Sequence, residues 1–268
     1  MDINQEIPLW EQGKVPFLDG ESKEMPKMIF YPSKSNQPAP AVLAIPGGGY
    51  KNKTDVGVRI AEWLTPLGIH VFVLDYRVVP YRHPCPFIDA QRAIRTIRLR
   101  AKEWNVIQEQ IGTAGFSAGG HLAASLGVHF NQNFFDPQDE IDQQSCRPDF
   151  MILGYPVITF TEMGHYGSRT NLLGAAGTEF ERDHHSLEKH VSKDTPRTFM
   201  WHTAEDHITV ENSLYFSQAL STYNIPFELH VFPTGKHGLK LAEDEPHVGQ
   251  WTKLCYSWLK HEIKVFQS

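Results

Sequence analysis

Ser117 is the residue of this sequence whose setting most clearly indicates chemistry. It is the centre of "GFSAG" (115–119), a match to G-x-S-x-G, between the apolar run "IGTAGF" and the helix-like run "GGHLAASLG". A sharp turn from strand to helix strains the serine backbone and leaves no room for side chains two residues before and after it. Glycines at 115 and 119 meet this need and favour a nucleophile, although the motif alone also fits a serine that caps a helix.

A base and an acid would have to act with this serine, because a serine hydroxyl is a poor nucleophile at neutral pH. His237, in "FPTGKHGL", follows the last apolar strand and has a glycine on each side that lets the loop fold back. Asp206 ends "FMWHTAED" directly after another strand, and its neighbour Glu205 is the alternative acid. Ligands bind beyond the carboxyl ends of the strands in an open α/β sheet, so Ser117, Asp206 and His237 predict a catalytic triad.

Other histidines of the sequence have simpler interpretations. His202 lies within a predicted strand and is expected to be a packed core residue, and His121, on the helix after Ser117, is expected to pack or bond locally. His184 and His185 form a pair that invites a metal interpretation, but no second ligand stands four residues away on a predicted helix. We therefore expect a solvated pair and no metal site.

The glycine run in "IPGGGY" is a candidate oxyanion hole. Three glycines after a central strand allow backbone N–H groups to face a bound carbonyl without side chains in the way, and Gly48 and Gly49, joined by the N–H of Ala118, are the predicted donors. A phosphate loop is the alternative, but the Lys-Ser/Thr ending of a Walker motif is missing. Tyr50, beside the glycines, and Tyr155 are predicted to bind substrate.

The segments that must position these residues alternate between strands and helices. Predicted strands are "KMIFYP", "AVLAIPG", "IHVFVLDYRV", "IGTAGF", "DFMILGYPVI", "RTFMWHTA" and "FELHVFP". Predicted helices are "VRIAEWLTPLG", "PFIDAQRAIRTIRLRAKEWNV", "GGHLAASLG", "VENSLYFSQALSTY" and "EPHVGQWTKLCYSWLKHEI". This alternation implies an α/β fold with a mostly parallel sheet covered on both faces. Segment 156–195 interrupts the alternation and is predicted to be a small cap or lid.

Two charged features have structural interpretations. The arginines of the second predicted helix, "PFIDAQRAIRTIRLRAKEWNV", are expected to lie on a solvated face. Asp75 ends a predicted strand and is followed by "YRV", so it is expected to be a structural partner of Arg77 rather than a catalytic acid.

The composition is that of an ordinary globular domain. Of 268 residues, 41% are hydrophobic and 21% charged, and α/β folds of this length regularly form one domain, here residues 1–268. No apolar run approaches the ~20 residues needed to cross a bilayer, so no membrane association is expected. The start, "MDINQEIPLWEQGKVPF", has neither the basic flank nor the apolar core of a secretory signal, which predicts a cytoplasmic location.

Charge and cysteine content exclude further classes of protein. The net charge is -6 and no basic tract is present, which argues against nucleic-acid binding and favours small neutral partners. Cys85, Cys146 and Cys255 are widely spaced and odd in number, so they are expected to be reduced thiols rather than a disulfide framework or a metal site. The sequence is compatible with a homo-oligomer but does not specify one.

With these residues in place, the chain resembles the α/β-hydrolase superfamily over residues 26–262, and within it the small esterases related to acetyl xylan esterases and other carbohydrate esterases. The resembling stretches are "IPGGGY", "VFVLDYRV", "DAQRAIRTIR", "GFSAGGHLA", "HTAEDHITVENS" and "GKHGL". The resemblance implies an α/β-hydrolase fold, Ser117 as nucleophile with Asp206 and His237 as partners, and an oxyanion pocket at 47–49. Pro46 stands where the hormone-sensitive-lipase branch has histidine, which favours the sugar-esterase branch.

Residues and resemblance together predict a serine esterase. It would hydrolyse short acyl esters, in particular acetyl esters of sugars or xylan-derived oligosaccharides, through an acyl-enzyme, and this chemistry requires no metal or organic cofactor. A prolyl-oligopeptidase-like peptidase uses the same triad order and fold. A noncatalytic binding protein on the same fold is a third interpretation, against which the intact candidates for every catalytic role count.

Overall fold

The core of the molecule is one eight-stranded sheet within the described residues, which are 5–18, 25–35, 37–175 and 177–263 of this computed structural model. The strands are β1 (Gln5–Pro8), β2 (Lys27–Tyr31), β3 (Ala39–Ile45), β4 (His70–Asp75), β5 (Val106–Phe116), β6 (Phe150–Gly154), β7 (Arg197–Thr203) and β8 (Phe227–Phe232). Their order is β1-β2-β4-β3-β5-β6-β7-β8. Strand β2 is antiparallel to both neighbours and the strands from β4 to β8 are parallel, so the mostly parallel sheet is confirmed.

Helices cover both faces of the sheet. They are α1 (Val56–Leu64), α2 (Cys85–Leu99), α3 (Ala118–Val128), α4 (Tyr166–Leu173), α5 (Glu179–His184), α6 (Glu211–Thr222) and α7 (Trp251–Glu262), with 3₁₀ turns at Thr65–Leu67, Leu187–His190 and Val248–Gln250. Helices α1 and α7 belong to one buried hydrophobic cluster, and α2, α3 and α6 belong to the other. Among the described residues, none of these helices combines the length and apolarity that crossing a bilayer requires.

The central strands are rigid supports because they are buried on both sides. Every residue of β3 and of β6 is buried, which explains why their sequences are continuously apolar instead of alternating. Leu43 in β3 and Ile152 in β6 are completely buried, and burial of such a side chain contributes about 1.5–3 kcal/mol relative to leaving it exposed. The loops at the carboxyl ends of these strands are therefore attached to strands that are buried along their whole length.

Strand β1 is an element that the sequence pattern does not indicate. It pairs antiparallel with β2 at one edge of the sheet, and Ile7 is the one buried residue among its four. A strand so short and so exposed carries no apolar run or alternation long enough to be recognised. Strand β6, by contrast, ends at Gly154, earlier than predicted, because Tyr155 has a positive φ of 35° that turns the chain.

The expectation that the arginines of α2 are solvated is wrong. Arg92 and Arg95 are 4% and 7% exposed. Arg92 donates two hydrogen bonds of 2.6 Å to Asp139 and one of 2.8 Å to Asp142. These acids belong to the polar segment 131–148, where Asp142 is buried and Asp139 is exposed, and they supply the carboxylates that a buried guanidinium needs.

The expected pairing of Asp75 with Arg77 is also wrong. The fully buried guanidinium of Arg77 donates to both carboxylate oxygens of Asp89, at 2.7 to 3.2 Å. Asp75 instead forms an ion pair with Lys53, with an N–O distance of 2.5 Å. Arg77 thus connects the loop after β4 to α2. Proximity in the sequence favoured Asp75 and did not indicate Asp89 as the partner.

The cysteines are buried and free, as the sequence predicts. Burial raises the pKa of the Cys146 and Cys255 thiols. Both thiols therefore stay protonated near neutral pH, which makes them poor nucleophiles and poor metal ligands.

Segment 156–195 lies between β6 and β7 and contains α4, α5 and the 3₁₀ turn Leu187–His190, with residue 176 outside the described part. Its helices have proper N-terminal caps: the imidazole of His165 accepts from the N–H of Ser168, and Thr178 and Glu181 form a capping box. The predicted cap is thus a segment with regular structure of its own.

Candidate active site

Ser117 occupies the turn between β5 and α3. Its backbone has φ 57° and ψ −124°, in the half of conformational space that residues other than glycine seldom adopt. A Cβ on Gly115 would lie 2.1 Å from the carbonyl oxygen of Gly119, and one on Gly119 would lie 2.2 Å from that of Ile45. Gly115 is therefore required by the tightness of the turn itself, and Gly119 by the packing of the turn against the end of β3.

The alternative of a helix-capping serine is contradicted by the hydrogen bonds. Ser117 stands at the N-cap position of α3, but its side chain makes no capping hydrogen bond within the described residues. Its Oγ lies instead 2.8 Å from Nε2 of His237. The hydroxyl is thus directed across the sheet edge and away from the helix that follows it.

A chain of hydrogen bonds continues from Ser117 through His237 to Asp206. The Nδ1 atom of His237 lies 2.9 and 2.8 Å from the two carboxylate oxygens of Asp206. An ionised carboxylate only accepts hydrogen bonds, so Nδ1 carries the proton and Nε2 presents its lone pair to the serine O–H. The imidazole lies where it can take the serine proton, and the carboxylate lies where it can stabilise an imidazolium ion.

The sheet brings these three residues together. Ser117 follows β5, Asp206 follows β7 and His237 follows β8, and these strands are parallel, with β6 lying between β5 and β7. Their carboxyl ends therefore meet at one edge of the sheet, where open α/β folds bind ligands.

Asp206 is buried but not isolated. The residue is 5% exposed, and its Oδ1 accepts a hydrogen bond of 2.8 Å from the N–H of Ile208 in addition to the bond from His237. His202, beneath it, is fully buried and bonds the Ile208 carbonyl and the Ser213 hydroxyl. His202 is thus the packed core residue that the sequence predicts, and the buried carboxylate has the partners that its charge requires.

Glu205, the alternative acid, supports the histidine loop instead of contacting the histidine. Its carboxylate accepts a hydrogen bond of 3.1 Å from the N–H of Gly235, and the Thr203 hydroxyl donates one of 2.7 Å to the carbonyl of the same glycine. Gly235 has φ 132°, a conformation that favours glycine. Two side chains at the end of β7 therefore hold the loop that carries His237, a role that sequence reasoning missed.

The glycine loop 47–49 follows β3 and lies beside Ser117. A Cβ on Gly47 would lie 2.5 Å from the carbonyl oxygen of Phe116 and 3.2 Å from Cβ of Ser117. Gly48 and Gly49 have φ values of 135° and 63°. Only residues without side chains allow the loop to approach the nucleophile this closely.

The predicted oxyanion donors have no protein acceptor within the described residues. The N–H groups of Gly48 and Gly49 make no backbone hydrogen bond there, and Ala118 is the first residue of α3, whose N–H has no partner inside the helix. The carbonyl of Gly49 accepts a hydrogen bond of 2.8 Å from Nδ2 of Asn171 in α4. The loop is thus fixed from the side of segment 156–195 while its N–H groups keep their bonding capacity.

The prediction that Tyr50 binds substrate is contradicted by its position. Its side chain is 1% exposed, and its Oη lies 2.8 Å from Nδ1 of His121. Nε2 of His121 lies 2.9 Å from the carbonyl of His185, which only accepts, so Nε2–H donates there and Nδ1 accepts from Tyr50. Tyr50 lines a small inner cavity with Leu122 and not the cavity at Ser117, because its φ of 60° turns it away.

Tyr155, which the sequence predicts to bind substrate, lines the cavity beside Ser117. Its ring lies at 74° to that of Phe116 and at 87° to that of Trp201, and its centroid is 4.9 Å from that of His237. Its Oη accepts a hydrogen bond of 3.1 Å from the N–H of Lys240. Burial raises the pKa of Tyr155, so the phenol is protonated and neutral beside the imidazole.

The cavity at Ser117 has a volume of about 370 Å³. Its walls come from the glycine loop, the nucleophile turn, segment 156–195 and the loop of His237, represented by Gly48, Ser117, His165, Asn171, His207 and His237. Lys51 and Lys240 also contribute, and Lys240 forms an ion pair of 2.6 Å with Asp55. The wall therefore combines charged and polar side chains with the aromatic ring of Tyr155.

The expectation of a solvated His184–His185 pair is wrong. His185 is 5% exposed, and its ring centroid lies 4.4 Å from that of His83. His184 stacks on His129 at 4.4 Å with an angle of 16° between the planes. Burial lowers the pKa of both His184 and His185. Their partners are far away in the sequence, so spacing within the pair gave no sign of this packing.

The parallel sheet, the serine on a strained strand-to-helix turn, and the acid and histidine after the later strands define an α/β-hydrolase fold. A solved structure with a similar fold is that of the α/β hydrolase MGS-M1 from a Medee basin deep-sea metagenome library. Its TM-score is 0.73, its sequence is 26% identical, and the match covers 98% of both chains. The chain belongs to the BD-FAE family, whose family model matches residues 28–220.

Two relatives have names that refer to xylan. The chain is 38% identical over 256 residues, 93% of its length, to endo-1,4-beta-xylanase B of Butyrivibrio fibrisolvens, and 29% identical over 228 residues, 82% of its length, to an acetylxylan esterase of Xylanibacter ruminicola. It spans 40% and 45% of the lengths of these two proteins, less than half of each.

A solved structure covers nearly the whole chain. The acetyl ester-xyloside bifunctional hydrolase from Caldicellulosiruptor lactoaceticus is 43% identical, with a TM-score of 0.93 and coverage of 97% of this chain and 96% of that one. The resemblance to α/β hydrolases and carbohydrate esterases is thus confirmed at the level of fold and family.

Proposed function

We propose that the protein is a serine esterase that hydrolyses acetyl and other short acyl esters, with sugars or xylan-derived oligosaccharides as the alcohol. The observation that carries the proposal is the hydrogen-bonded chain from Asp206 through His237 to the Oγ of Ser117, which opens into a cavity. A nucleophile, a base and an oriented acid are the parts that acyl transfer requires.

In the first half of the reaction, Oγ of Ser117 attacks the ester carbonyl carbon while Nε2 of His237 takes the hydroxyl proton. The tetrahedral intermediate then collapses: the bond from carbon to the alcohol oxygen breaks, and the imidazolium gives its proton to the departing alcohol. Asp206 accepts from Nδ1–H throughout, which keeps Nε2 directed at Ser117 and stabilises the charged ring. The product of this half is an acylated serine.

In the second half, water replaces the alcohol. His237 takes a proton from the water, whose oxygen attacks the acyl carbon, and the second tetrahedral intermediate releases Ser117 as its oxygen regains the proton. The carboxylic acid leaves, and the catalytic groups return to their starting state. The proton balance closes within Ser117, His237, water and substrate, so no cofactor is needed for this sequence of steps.

The N–H groups of Gly48, Gly49 and Ala118 are proposed to stabilise the oxyanion that forms in both halves. Their hydrogen-bonding capacity is free within the described residues, and the loop that carries two of them packs against the nucleophile turn. Donors fixed before the reaction need no reorganisation, and removal of one such donor typically costs about 10²–10³ in kcat. Asn171 is proposed to keep the glycine loop in place through the Gly49 carbonyl.

The identity of the substrate is supported by the names of relatives and by the cavity. An acetylxylan esterase and an acetyl ester-xyloside hydrolase are among the proteins that this chain resembles over most of its length. Segment 156–195 is proposed to act as a cap within a single α/β-hydrolase domain of residues 1–268, since His165, Gly167 and Asn171 line the cavity. Tyr155 is proposed to present an aromatic wall to the substrate.

Labelling with a fluorophosphonate tests the nucleophile. We expect stoichiometric phosphonylation at Ser117 and none in Ser117→Ala. Ser125→Ala is a matched control, since Ser125 lies on α3, the helix that follows Ser117, and its hydroxyl donates to the His121 carbonyl rather than to His237. Labelling at another residue, or none in the folded protein, would contradict the proposal and return the noncatalytic interpretation.

A substrate panel tests the reaction class. Acetylated xylo-oligosaccharides, p-nitrophenyl esters of increasing chain length and an aminoacyl amide are compared by kcat/KM. The highest value is expected for acetyl esters, with carbohydrate acetates among them. Faster turnover of the amide than of any ester would favour the prolyl-oligopeptidase-like alternative. A cytoplasmic location and a homo-oligomer are untouched by these assays and stay predictions.

A further inference from the structure

A group of three histidines lies at the opposite end of α3 from Ser117. His129 follows the last turn of α3, His184 ends α5, and His190 ends the next 3₁₀ turn. One ring nitrogen from each lies within 4.8 Å of the other two. We call His129, His184 and His190 the histidine cluster; no step of the proposed reaction uses it.

Two rings of the cluster meet at the side-chain amide of Gln132. Nδ1 of His129 lies 3.1 Å from Nε2 of Gln132, and Nε2 of His184 lies 3.2 Å from Nε2 and 3.3 Å from Oε1 of the same amide. An amide nitrogen is a donor, so Nδ1 of His129 accepts from the N–H₂ group, and the same amide occupies the space in front of Nε2 of His184. A side-chain amide held between ring nitrogens marks a position that a cation can take when the glutamine rotates away.

The second ring nitrogens of His129 and His190 are already satisfied in the way that metal ligands require. Nε2 of His129 lies 2.9 Å from the carbonyl of His184, and Nε2 of His190 lies 3.0 Å from the carbonyl of Asp183. A carbonyl only accepts, so both Nε2 atoms carry the proton and both Nδ1 atoms keep a lone pair. Metal-bound histidines almost always donate their second N–H in this manner.

The donor type of the cluster indicates which ions it suits. His129 is 7% exposed, and neutral imidazole is the form of histidine that binds metal. Three nitrogen donors without a carboxylate suit Zn²⁺, Ni²⁺ or Cu²⁺ and disfavour Ca²⁺ or Mg²⁺.

The geometry points to a transition-metal site formed by His129, His184 and His190, with Gln132 as the side chain that gives way. Ligand nitrogens of a tetrahedral zinc ion lie about 3.4 Å apart, which follows from a Zn–N distance of about 2.0–2.1 Å. The rings must therefore approach each other by up to about 1.4 Å from their spacing of up to 4.8 Å. A bound ion would join the end of α3 to segment 156–195.

A second group offers a competing location and must be separated in the test. Asp206, His207 and His237 also place one ligand atom each within 4.8 Å of one another. That group contains the proposed catalytic base, so an ion there would block ester hydrolysis. An ion in the histidine cluster would leave hydrolysis intact, because the described residues that line the cavity at Ser117 include no member of the cluster.

Titration of the metal-free protein with Zn²⁺, and with Co²⁺ for its absorption bands, tests the site. We expect one tight ion per chain with tetrahedral Co²⁺ bands, at least about 10-fold weaker affinity in His190→Ala, and full affinity in His207→Gln. Gln132→Ala is expected to bind as tightly as the unaltered protein or more tightly, because it removes the competing amide. His261→Ala, at an 84% exposed histidine, is the matched surface control.

Thermal unfolding gives a second readout that does not depend on ester hydrolysis. At a Zn²⁺ concentration about 100-fold above Kd, the midpoint should rise by about 5 °C or more, and His190→Ala should reduce the rise by about half or more while its metal-free midpoint and circular dichroism show a folded protein. Equal affinity in His190→Ala and the unaltered protein would overturn the proposal. Loss of the tight site in His207→Gln would also overturn it and assign the ion to the catalytic group.

Discussion

His237 and His129 differ in their hydrogen-bond partners and in their surroundings. His237 lies between the carboxylate of Asp206 and the hydroxyl of Ser117, and 18% of its side chain is exposed. His129 is 7% exposed, stacks on His184, and has a backbone carbonyl and an amide as its hydrogen-bond partners. One ring has a negative charge beside it, and the other is bonded to neutral groups.

This difference determines which ring can change its charge. A carboxylate stabilises an imidazolium ion, so His237 can hold a proton between two steps of a reaction. Neutral partners offer no such stabilisation, and burial lowers the pKa of His129 to about 3, so its ring stays neutral with one lone pair available. The same side chain is suited to proton transfer in one place and to metal binding in the other.

The largest effect is expected from His237→Gln. Glutamine fills similar space but cannot take the proton of Ser117, so kcat should fall by about 10⁴-fold or more. Hydrolysis of p-nitrophenyl acetate measures it, with His261→Gln, an exposed histidine on α7, as the control expected to keep full activity. A loss of less than about 10-fold would show that the base lies elsewhere.

Asp206→Asn should have the next largest effect. The amide can donate to Nδ1 of His237, which favours the tautomer with the proton on Nε2 and leaves no lone pair for Ser117; kcat should fall by about 10³–10⁴-fold. Asp75→Asn serves as the control, because Asp75 pairs with Lys53 away from the histidine. If the two variants retain similar activity, the charge partner that distinguishes His237 from His129 has no catalytic role.

Acidification should destabilise the fold through its buried neutral histidines. Burial lowers the pKa of His70 and of His121 from 6.5 to about 4. Below pH 6.5 the unfolded chain binds protons that the folded chain does not, so stability present at higher pH is lost as the pH falls towards 4. Each histidine should reduce the free energy of unfolding by about 2 kcal/mol between about pH 6.5 and 5.

Urea titrations at a series of pH values measure this dependence. His121→Gln removes one titrating ring and should reduce the slope of the free energy of unfolding against pH by about one proton, whatever its effect on stability at neutral pH. An unchanged slope in this variant would mean that His121 is protonated in the folded protein, and that a ring without a charge partner can be charged after all.

The smallest effect is expected at Glu205. Glu205→Ala removes the acceptor for the Gly235 N–H and should lower kcat by about 5-fold, the equivalent of about one neutral hydrogen bond, because the loop of His237 is held less firmly. Glu205→Gln keeps an acceptor oxygen and should restore most of the rate. If glutamine is as poor as alanine, the carboxylate acts on His237 through its charge and not through the loop.

The candidate triad could be predicted from sequence because each member follows a strand. An apolar run, a turn residue and a chemically competent side chain stand within a few positions of one another at Ser117, Asp206 and His237, and the parallel sheet then brings separate strand ends to one edge. The glycine loop 47–49 was identifiable for the same reason. Local patterns sufficed wherever the contact was made through the regular part of the fold.

Contacts made by side chains from distant segments could not be predicted. Arg92 binds two carboxylates of segment 131–148, and His184 stacks on His129, which follows the last residue of α3. Tyr50 is adjacent to the glycine loop in sequence, but a positive φ directs its ring to His121. In each case the partner is fixed by tertiary packing or by one backbone angle, and neither has a periodic signature in the sequence.

The position of β8 late in the chain determines when, during synthesis, the groups proposed for ester hydrolysis can come together. It is the last strand of the sheet, lies at the edge opposite β1, pairs only with β7 within the described residues, and has a single buried residue, Phe232. A nascent chain that has emerged only as far as α6 contains Ser117 and Asp206 but not His237. In the proposed mechanism, ester hydrolysis by a ribosome-bound chain would therefore begin only when this edge strand docks, and would report that docking in real time.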